Sequence, residues 1–222
     1  KLNQFEMAEG IFATFLGVQK DLAAVGMRSS NYWQFDSYDL EKYYSPHFEG
    51  TRLDTTGCFV TSSTIKDPDF AEHHAPKGVT NVEVMALVPG DPQKWHVEQS
   101  EIGAWKYKSS SNYQTLKENV ETQLVNRFEK LFPGSKESIV FKESSTPVSH
   151  TRYTRATNGT GYGLAATPQQ YLNNRPGYEG PIQSLYLCGA STTAGHGILG
   201  SMVSGRHSAI RIAKHLGKKL KR

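Results

Sequence analysis

Residues 185–206 read Leu185-Tyr-Leu-Cys-Gly-Ala-Ser-Thr-Thr-Ala-Gly-His-Gly-Ile-Leu-Gly-Ser-Met-Val-Ser-Gly-Arg206, an apolar run, a glycine-rich turn and a helix-forming stretch in succession. Within it Gly195, Gly197 and Gly200 satisfy the spacing G-x-G-x-x-G. In a βαβ unit that spacing lets backbone approach a pyrophosphate at a helix N-terminus. Such a unit takes about 30 residues and carries an acidic residue ~20 positions on, which holds ribose hydroxyls. Beyond Gly200 the sequence offers one helix and the basic segment Lys214–Arg222, so the motif closes a fold rather than opening one.

Working upstream, further motifs fall in a fixed order. Leu131-Phe132-Pro133-Gly134 is followed by Thr146-Pro147, Arg152-Tyr153, Gly159-Thr-Gly-Tyr-Gly163 and Ile182-Gln-Ser-Leu-Tyr-Leu187. Together with the glycine turn, this order resembles the C-terminal part of the FAD-dependent amine oxidase and phytoene desaturase superfamily. There a strand "LYLxG" leads into a "GxGI" turn and a terminal helix. Phe15-Leu16-Gly17-Val18 and Thr64-Ile65-Lys66-Asp67-Pro68 are weaker matches to the substrate-domain half of its carotenoid desaturase, isomerase and retinol saturase branch. The resemblance covers most of the chain and is strongest after about residue 110.

The resemblance implies an FAD site shared with another part of the enzyme. Gly197 and Ile198 would lie beside the isoalloxazine, and Gly189 and Ala190 near the ribityl chain or pyrophosphate, with Ser191 and Gly195 in the same cofactor-binding set. Glycines there let backbone approach the ring with no Cβ in the way. The unsatisfied N–H groups of a helix N-terminus carry about half a positive charge, which stabilises a reduced, anionic flavin. Ala190 departs from those members with an acidic residue at this position, so a carboxylate bond to the ribityl hydroxyls is missing. His196, between two glycines, is the catalytic candidate, able to donate to the ring or move a proton; its other reading is a helix-cap residue. Tyr153 and Tyr162 are candidates to line the cavity for a flat apolar substrate, or are core tyrosines. The activity implied is flavin-dependent desaturation, saturation or isomerisation at a carbon–carbon bond of an isoprenoid or polyene, by hydride transfer to or from the flavin.

Composition agrees with a folded chain. At 222 residues, 37% hydrophobic and 11% aromatic, with a formal net charge of +4, it can bury one generous core or two small ones. No run approaches the ~18 apolar residues of a membrane span, and the N-terminus lacks a signal-peptide layout. Cys58 and Cys188 follow no metal or redox spacing, so both are expected as small buried hydrophobes in a reducing compartment, cytoplasmic or at a membrane periphery. Glu72-His73-His74 lacks a completing ligand, so no metal site is expected. The basic C-terminal residues are either a solvated helix end or a contact to an anionic membrane. Nucleic-acid binding is disfavoured, because the cations form no stripe interleaved with aromatics.

The pattern predicts an α/β or α+β fold. Glu9–Val18, Asn31–Ser37, Thr56–Ile65 and Gly78–Val88 read as strands of an antiparallel or mixed sheet. A long helix is expected over Ser111–Phe132, with Tyr113, Leu116, Val120, Leu124, Phe128 and Leu131 forming one stripe. A short strand at 139–141 and a helix opened by Thr146-Pro147 come next, then an irregular loop over 158–181 and a strand over Ser184–Cys188. A helix is expected from Ile198 to Leu220, with Ile198, Met202, Ala209, Ile212, Ala213 and Leu216 inward. Functionally this divides into a substrate-binding sheet region (1–110), the long helix with substrate-side segments (111–183), and the flavin-contact strand-turn-helix (184–222), which completes a Rossmann-like domain.

No strand followed by G-x-G-x-x-G and a helix occurs early in these residues, so the ADP half of FAD is not expected to bind this chain. The chain also begins Lys1-Leu-Asn without methionine. Three readings are open: the C-terminal part of a flavoenzyme whose FAD-binding part is a separate chain or domain, which is favoured; a non-catalytic binding or assembly subunit; and a standalone protein binding a smaller flavin such as FMN. Amine oxidation is the alternative chemistry within the superfamily.

Overall fold

In the computed structural model, residues 4–218 are described. Glu9–Gly159 forms one compact unit, and the residues up to Ala8 join those from Thr160 onward in another.

The larger unit grows from the alternation at Thr80–Val88 (β6), where every second residue is buried. Five strands assemble around it: Gly10–Val18 (β1), Tyr32–Phe35 (β2), Gly57–Thr61 (β5), β6 and Ile139–Ser145 (β7), in the order β2-β5-β6-β1-β7. A separate two-stranded ribbon pairs His47–Glu49 (β3) with Arg52–Asp54 (β4). Of the two arrangements expected, antiparallel and mixed, the ladders are antiparallel throughout. The strand expected over Thr56–Ile65 is cut short at Thr61, because Ser62 caps a helical turn, Ser63–Lys66 (α1), by accepting from the Ile65 N–H. Conversely, the short strand at 139–141 runs on to Ser145, since its edge pairs with β1 along most of its length. Glu72 to His74 lie in another single turn, Ala71–His74 (α2).

Two short helices, Gln99–Gly103 (α3) and Pro147–Thr154 (α5), flank the long helix Ser111–Leu131 (α4). Ser110 caps α4, which ends just before Pro133-Gly134. Its stripe of Tyr113, Leu116, Val120, Leu124 and Phe128 is buried against Phe12, Leu16, Val82, Val84 and Val60 of the sheet; Val125 joins it, and Leu131 is only partly covered. Each such large side chain contributes roughly 1.5–3 kcal/mol on burial. Thr146 caps α5 as expected, with Pro147 in its first turn. The Tyr113 hydroxyl is 3.0 Å from Thr146 Oγ1, tying the two helices together inside the core.

In the smaller unit, residues 6–8 run antiparallel to 163–165, with Ala8 N–H donating to Gly163 O at 2.8 Å and Ala165 N–H to Glu6 O at 3.0 Å. Buried Gln170 fixes this pairing through Glu6 N–H and Glu6 O. Most of 160–181 is irregular, as its glycine, proline and asparagine content predicts. Ser184–Cys188 is a correction: Ser184 sits in a turn with φ +66°, and the residues after it form a single bridge, Tyr186 to Glu179, rather than a strand. Only the short 178–180 segment lies alongside it, through Leu187 N–H to Tyr178 O and Gly180 N–H to Leu185 O, and a strand requires a continuous partner.

The last helix is Gly197–His215 (α6). Its inward face is also a correction. Ser204 and Ser208 are the buried residues, whereas Ile198, Met202, Ile212 and Leu216 are exposed. The part of the expected helix and basic tail that falls on 219–222 lies outside the described residues. No helix among the described residues is long and apolar enough to cross a membrane.

Candidate functional site

The turn between Cys188 and α6 is built on glycines whose backbones L side chains rarely adopt. Gly189, Gly195 and Gly197 have φ of +101°, +79° and +83°. A Cβ at Gly189 or Gly197 would meet nothing within 4 Å, so no packing inside this unit calls for glycine there. Left-handed backbone accounts for them locally, and the space beyond them is open to a ligand. Gly200 differs: a Cβ there would press on the carbonyl oxygens of Gly195 and Ala194. That glycine lets the first turn of α6 fold tightly against the loop.

Hydrogen bonds hold the turn in shape. Gly189 N–H donates to Ser204 Oγ at 2.7 Å, and Ser204 Oγ donates to Ser201 O at 2.6 Å. Ser208 Oγ donates to Leu187 O one helical turn later. These two serines, four residues apart, clamp the extended segment 187–189 to α6. Thr192 donates through Oγ1 to Gly189 O at 2.8 Å, Gly195 N–H to Thr192 O at 2.9 Å, and Thr193 N–H to Pro176 O at 3.0 Å.

Beneath the turn sits Arg175, 5% exposed. Its guanidinium donates to Ala190 O at 3.1 Å and to Leu164 O, joining the 164–165 segment to the glycine loop. Sequence reasoning missed Arg175, Ser204 and Ser208. The serine pair carried a readable signal, a small polar i, i+4 stripe on one face of the helix; an arginine in an irregular loop carried none.

The predicted residues are distributed as follows. His196 is the exposed N-cap of α6 with extended backbone and makes no side-chain cap bond. Its ring lies 5.0 Å from that of Tyr162, so these two candidates are brought together. Ser191 packs against Gly163, where a Cβ would collide with its hydroxyl. Ala190 offers its carbonyl to Arg175, and Ile198 is 85% exposed on the first turn of α6. Tyr153 belongs to α5 in the other unit, where it meets Trp105 edge-on at 5.2 Å. It is 65% exposed, and Tyr162 is 49% exposed, so neither is a core tyrosine.

Electrostatically the turn is positive. α6 has no acidic residue in its first turn and no side-chain cap, so its leading N–H groups face outward with their partial charge uncancelled. The buried Arg175 charge lies under the same loop. Left-handed glycines with open space and an uncapped helix end fit a flavin's polar edge or phosphates.

The larger unit presents a second feature on the sheet face opposite α4. Ala13, Met85, Phe59 and Trp33 lie directly across one another on β1, β6, β5 and β2. Phe15 and Phe35 flank this row, and both are exposed, as is Trp33. The Trp33 and Phe59 rings meet at 4.9 Å. An apolar face of this width on one side of a sheet suits a flat apolar ligand.

Other expectations resolve simply. Cys58 is buried, with its thiol pushed up to about 11 by burial, whereas Cys188 is exposed, correcting its expected burial; both are free. The extended segment around Cys188 lacks a second layer over it within its unit. His74 is 3.1 Å from Asp67, and among the described residues no group of metal-ligating side chains converges.

Comparison with known proteins places this geometry. Residues 105–213 match the family model described as flavin containing amine oxidoreductase. The chloroplastic prolycopene isomerase of Daucus carota is 36% identical over 162 residues, covering 69% of this chain and 26% of that protein. The corresponding Arabidopsis thaliana protein is 35% identical over 136 residues, covering 60% and 22%. The all-trans-retinol 13,14-reductase of Danio rerio is 22% identical over 197 residues, covering 85% and 31%. The chain thus spans less than a third of the length of each of these relatives. In the matched segment, which ends in the glycine turn and α6, the chain is similar to the flavin containing amine oxidoreductases, and its relatives there are of the carotenoid and retinol type.

Proposed function

We propose that this chain forms the substrate-side and flavin-contact part of an FAD-dependent oxidoreductase acting on a carbon–carbon bond of an isoprenoid or polyene. One observation carries the reading: within the family-matched segment, Gly189, Gly195 and Gly197 all hold left-handed backbone, and two of them face open space. Relatives named as a prolycopene isomerase and a retinol reductase support the substrate class. Bound FAD would supply the redox chemistry. The chain's residues bind and orient: Gly189, Ala190 and Ser191 border the ribityl and phosphate side, and Gly195, Gly197 and Ile198 border the ring. The α6 N-terminus provides positive potential there. His196, beside Tyr162, is the residue proposed to hold or move a proton. Within the larger unit, the apolar row from Ala13 to Trp33 is the proposed resting face for the substrate, with Tyr153 a further candidate; Tyr162 is the candidate lining residue of the smaller unit, beside His196.

The ADP half of FAD is assigned to an FAD-binding chain or domain outside these residues. The exposed Ile198, Leu199, Met202 and Leu216 of α6 support this, since an apolar helix face of that extent is normally covered by a partner. In that arrangement residues 184–222 complete the Rossmann-like domain, and the Ser184–Cys188 segment gains the strand neighbours it lacks. In function the chain divides at about residues 110 and 183. A reducing setting, in solution or at a membrane surface, accords with the free, exposed Cys188.

The test is an absorbance spectrum from about 300 to 550 nm of the protein purified from its native source, with subunit and mass analysis. Flavin bands, carried together with an FAD-binding Rossmann element, are expected. A colourless chain that takes up no added FAD, even beside that element, overturns the reading and favours a binding or assembly role.

A further inference from the structure

Within the larger unit, α3 and the C-terminal end of α5 border a cavity of about 470 Å³ that includes Gln99, Ser100, Thr151, Arg152, Arg155 and Thr157 in its walls. It is polar and cationic, and its charge is uncompensated. Among the described residues, no carboxylate pairs with Arg152 or Arg155. Glu101 of α3 engages its Oε2 with the backbone N–H of Glu98 at 2.8 Å. Arg152 Nε and the adjacent Thr151 Oγ1 are buried atoms without any hydrogen-bond partner. Buried polar groups in folded proteins are nearly always paired. Arg152 Nε and Thr151 Oγ1 are sealed from solvent, whereas the terminal N–H groups of Arg152 are not buried and pair with no side chain or carbonyl among the described residues, so they are the donors open to an acceptor from outside the chain.

Arg152 is held in position. Its Cζ lies 4.7 Å over the Trp105 ring, which also carries Lys108 Nζ at 4.0 Å. A cation–π contact of this kind uses none of the guanidinium N–H donors, which stay free for an acceptor in the fork geometry that recognises oxyanions. Arg155 has left-handed backbone, φ +60°, and ends α5 beside the same cavity. Donor side chains thus come from two elements, Gln99 and Ser100 on one and Thr151, Arg152 and Arg155 on the other. Such a spread surrounds a tetrahedral acceptor better than a planar one.

We propose that this cavity is an oxyanion site for a phosphate group, carried by a soluble phosphoryl compound or by a phospholipid headgroup. The second source has its own support: partly exposed Trp105 beside Lys106 and Lys108 supplies the side-chain types that collect at the interface of an anionic membrane. The site is independent of the flavin reading, because none of its residues belongs to the glycine turn.

The full chain is titrated with inorganic pyrophosphate by calorimetry and, separately, floated with phosphatidylcholine vesicles with and without phosphatidic acid. Saturable pyrophosphate binding at one site, or flotation that requires phosphatidic acid, supports the site; the first alone assigns a soluble ligand and the second alone a lipid. Arg152→Gln and Arg155→Gln should each weaken binding by about tenfold or more, the loss of a charge-assisted hydrogen bond. The Arg155 side is exposed, so the melting temperature of Arg155→Gln should stay at the parent value and its lost binding cannot be attributed to unfolding. Absence of binding in both arms, or binding undiminished in the double variant, overturns the proposal.

Discussion

Ser204 Oγ accepts from the Gly189 N–H at 2.7 Å and donates its own O–H to Ser201 O at 2.6 Å. One hydroxyl on the terminal helix thereby fixes the first glycine of the turn, so the position of the turn depends on the register of α6. Ser204→Ala leaves that N–H unpaired in a buried setting, a cost of about 1–3 kcal/mol. A lower melting temperature with loss of flavin is expected. Unchanged stability in thermal unfolding would show that the bond is dispensable.

Gly197→Ala separates backbone conformation from packing. A Cβ there meets nothing, so the folding penalty is the left-handed strain alone, about 1–2 kcal/mol. Flavin retention should fall by more than this cost explains, because the methyl would occupy the space assigned to the cofactor. Parallel denaturant and flavin-content measurements on protein from the native source check this; equal losses in the two would remove the cofactor from that space.

Arg175→Met retains bulk but withdraws the donors to Ala190 O and Leu164 O. With two acceptors left without those donors, a destabilisation of roughly 2–5 kcal/mol is expected. Hydrogen exchange should show it first around residues 160–195. Protection there equal to the parent's would mean that the guanidinium is not the clamp.

His150 predicts the sign of one pH effect. Burial lowers its pKa below the ordinary 6.5, against a smaller opposing contribution from the Gly159 backbone. A histidine with a depressed folded pKa favours folding fully above the unfolded value, and stability falls as pH drops through about 6.5 toward the folded pKa. His150→Asn should flatten the stability profile between about pH 7 and 5. A slope that persists unchanged in the variant assigns the effect to other groups.

Trp33→Ala tests the sheet face. Trp33 is 57% exposed, so the fold should lose less than about 1 kcal/mol. Affinity for an apolar polyene should drop about five- to tenfold with the loss of a large aromatic contact. Unaltered polyene binding would place the substrate elsewhere.

Much of this was written in local sequence. The 80–88 alternation, the α4 stripe, the Ser110 and Thr146 caps and the stop at Pro133-Gly134 each depend on neighbours a few residues away. Periodicity and capping therefore read them directly. The G-x-G-x-x-G order likewise located the turn: Gly195 and Gly197 proved left-handed, as glycine permits, while Gly200 is helical and kept small by the carbonyls of Ala194 and Gly195.

The failures share a cause, which is that they turn on partners distant in sequence. Strand 139–145 outran its prediction because β1 offered it a pairing edge, whereas 184–188 fell short of a strand for want of one. The apolar residues of α6 looked inward by composition, yet Ser204 and Ser208 face the protein, since hydrogen-bonding demand from Leu187 and Gly189 fixes the rotation of the helix. The clamp of Arg175 and the unpaired Arg152 depend on backbone carbonyls and cavities assembled from several segments. Sequence by itself determined the family likeness, the elements with strong periodicity and the glycine turn. Only the tertiary structure decided which helix face was buried, which polar groups found partners and which were left for a ligand, because hydrogen bonding and burial are settled by contacts in space.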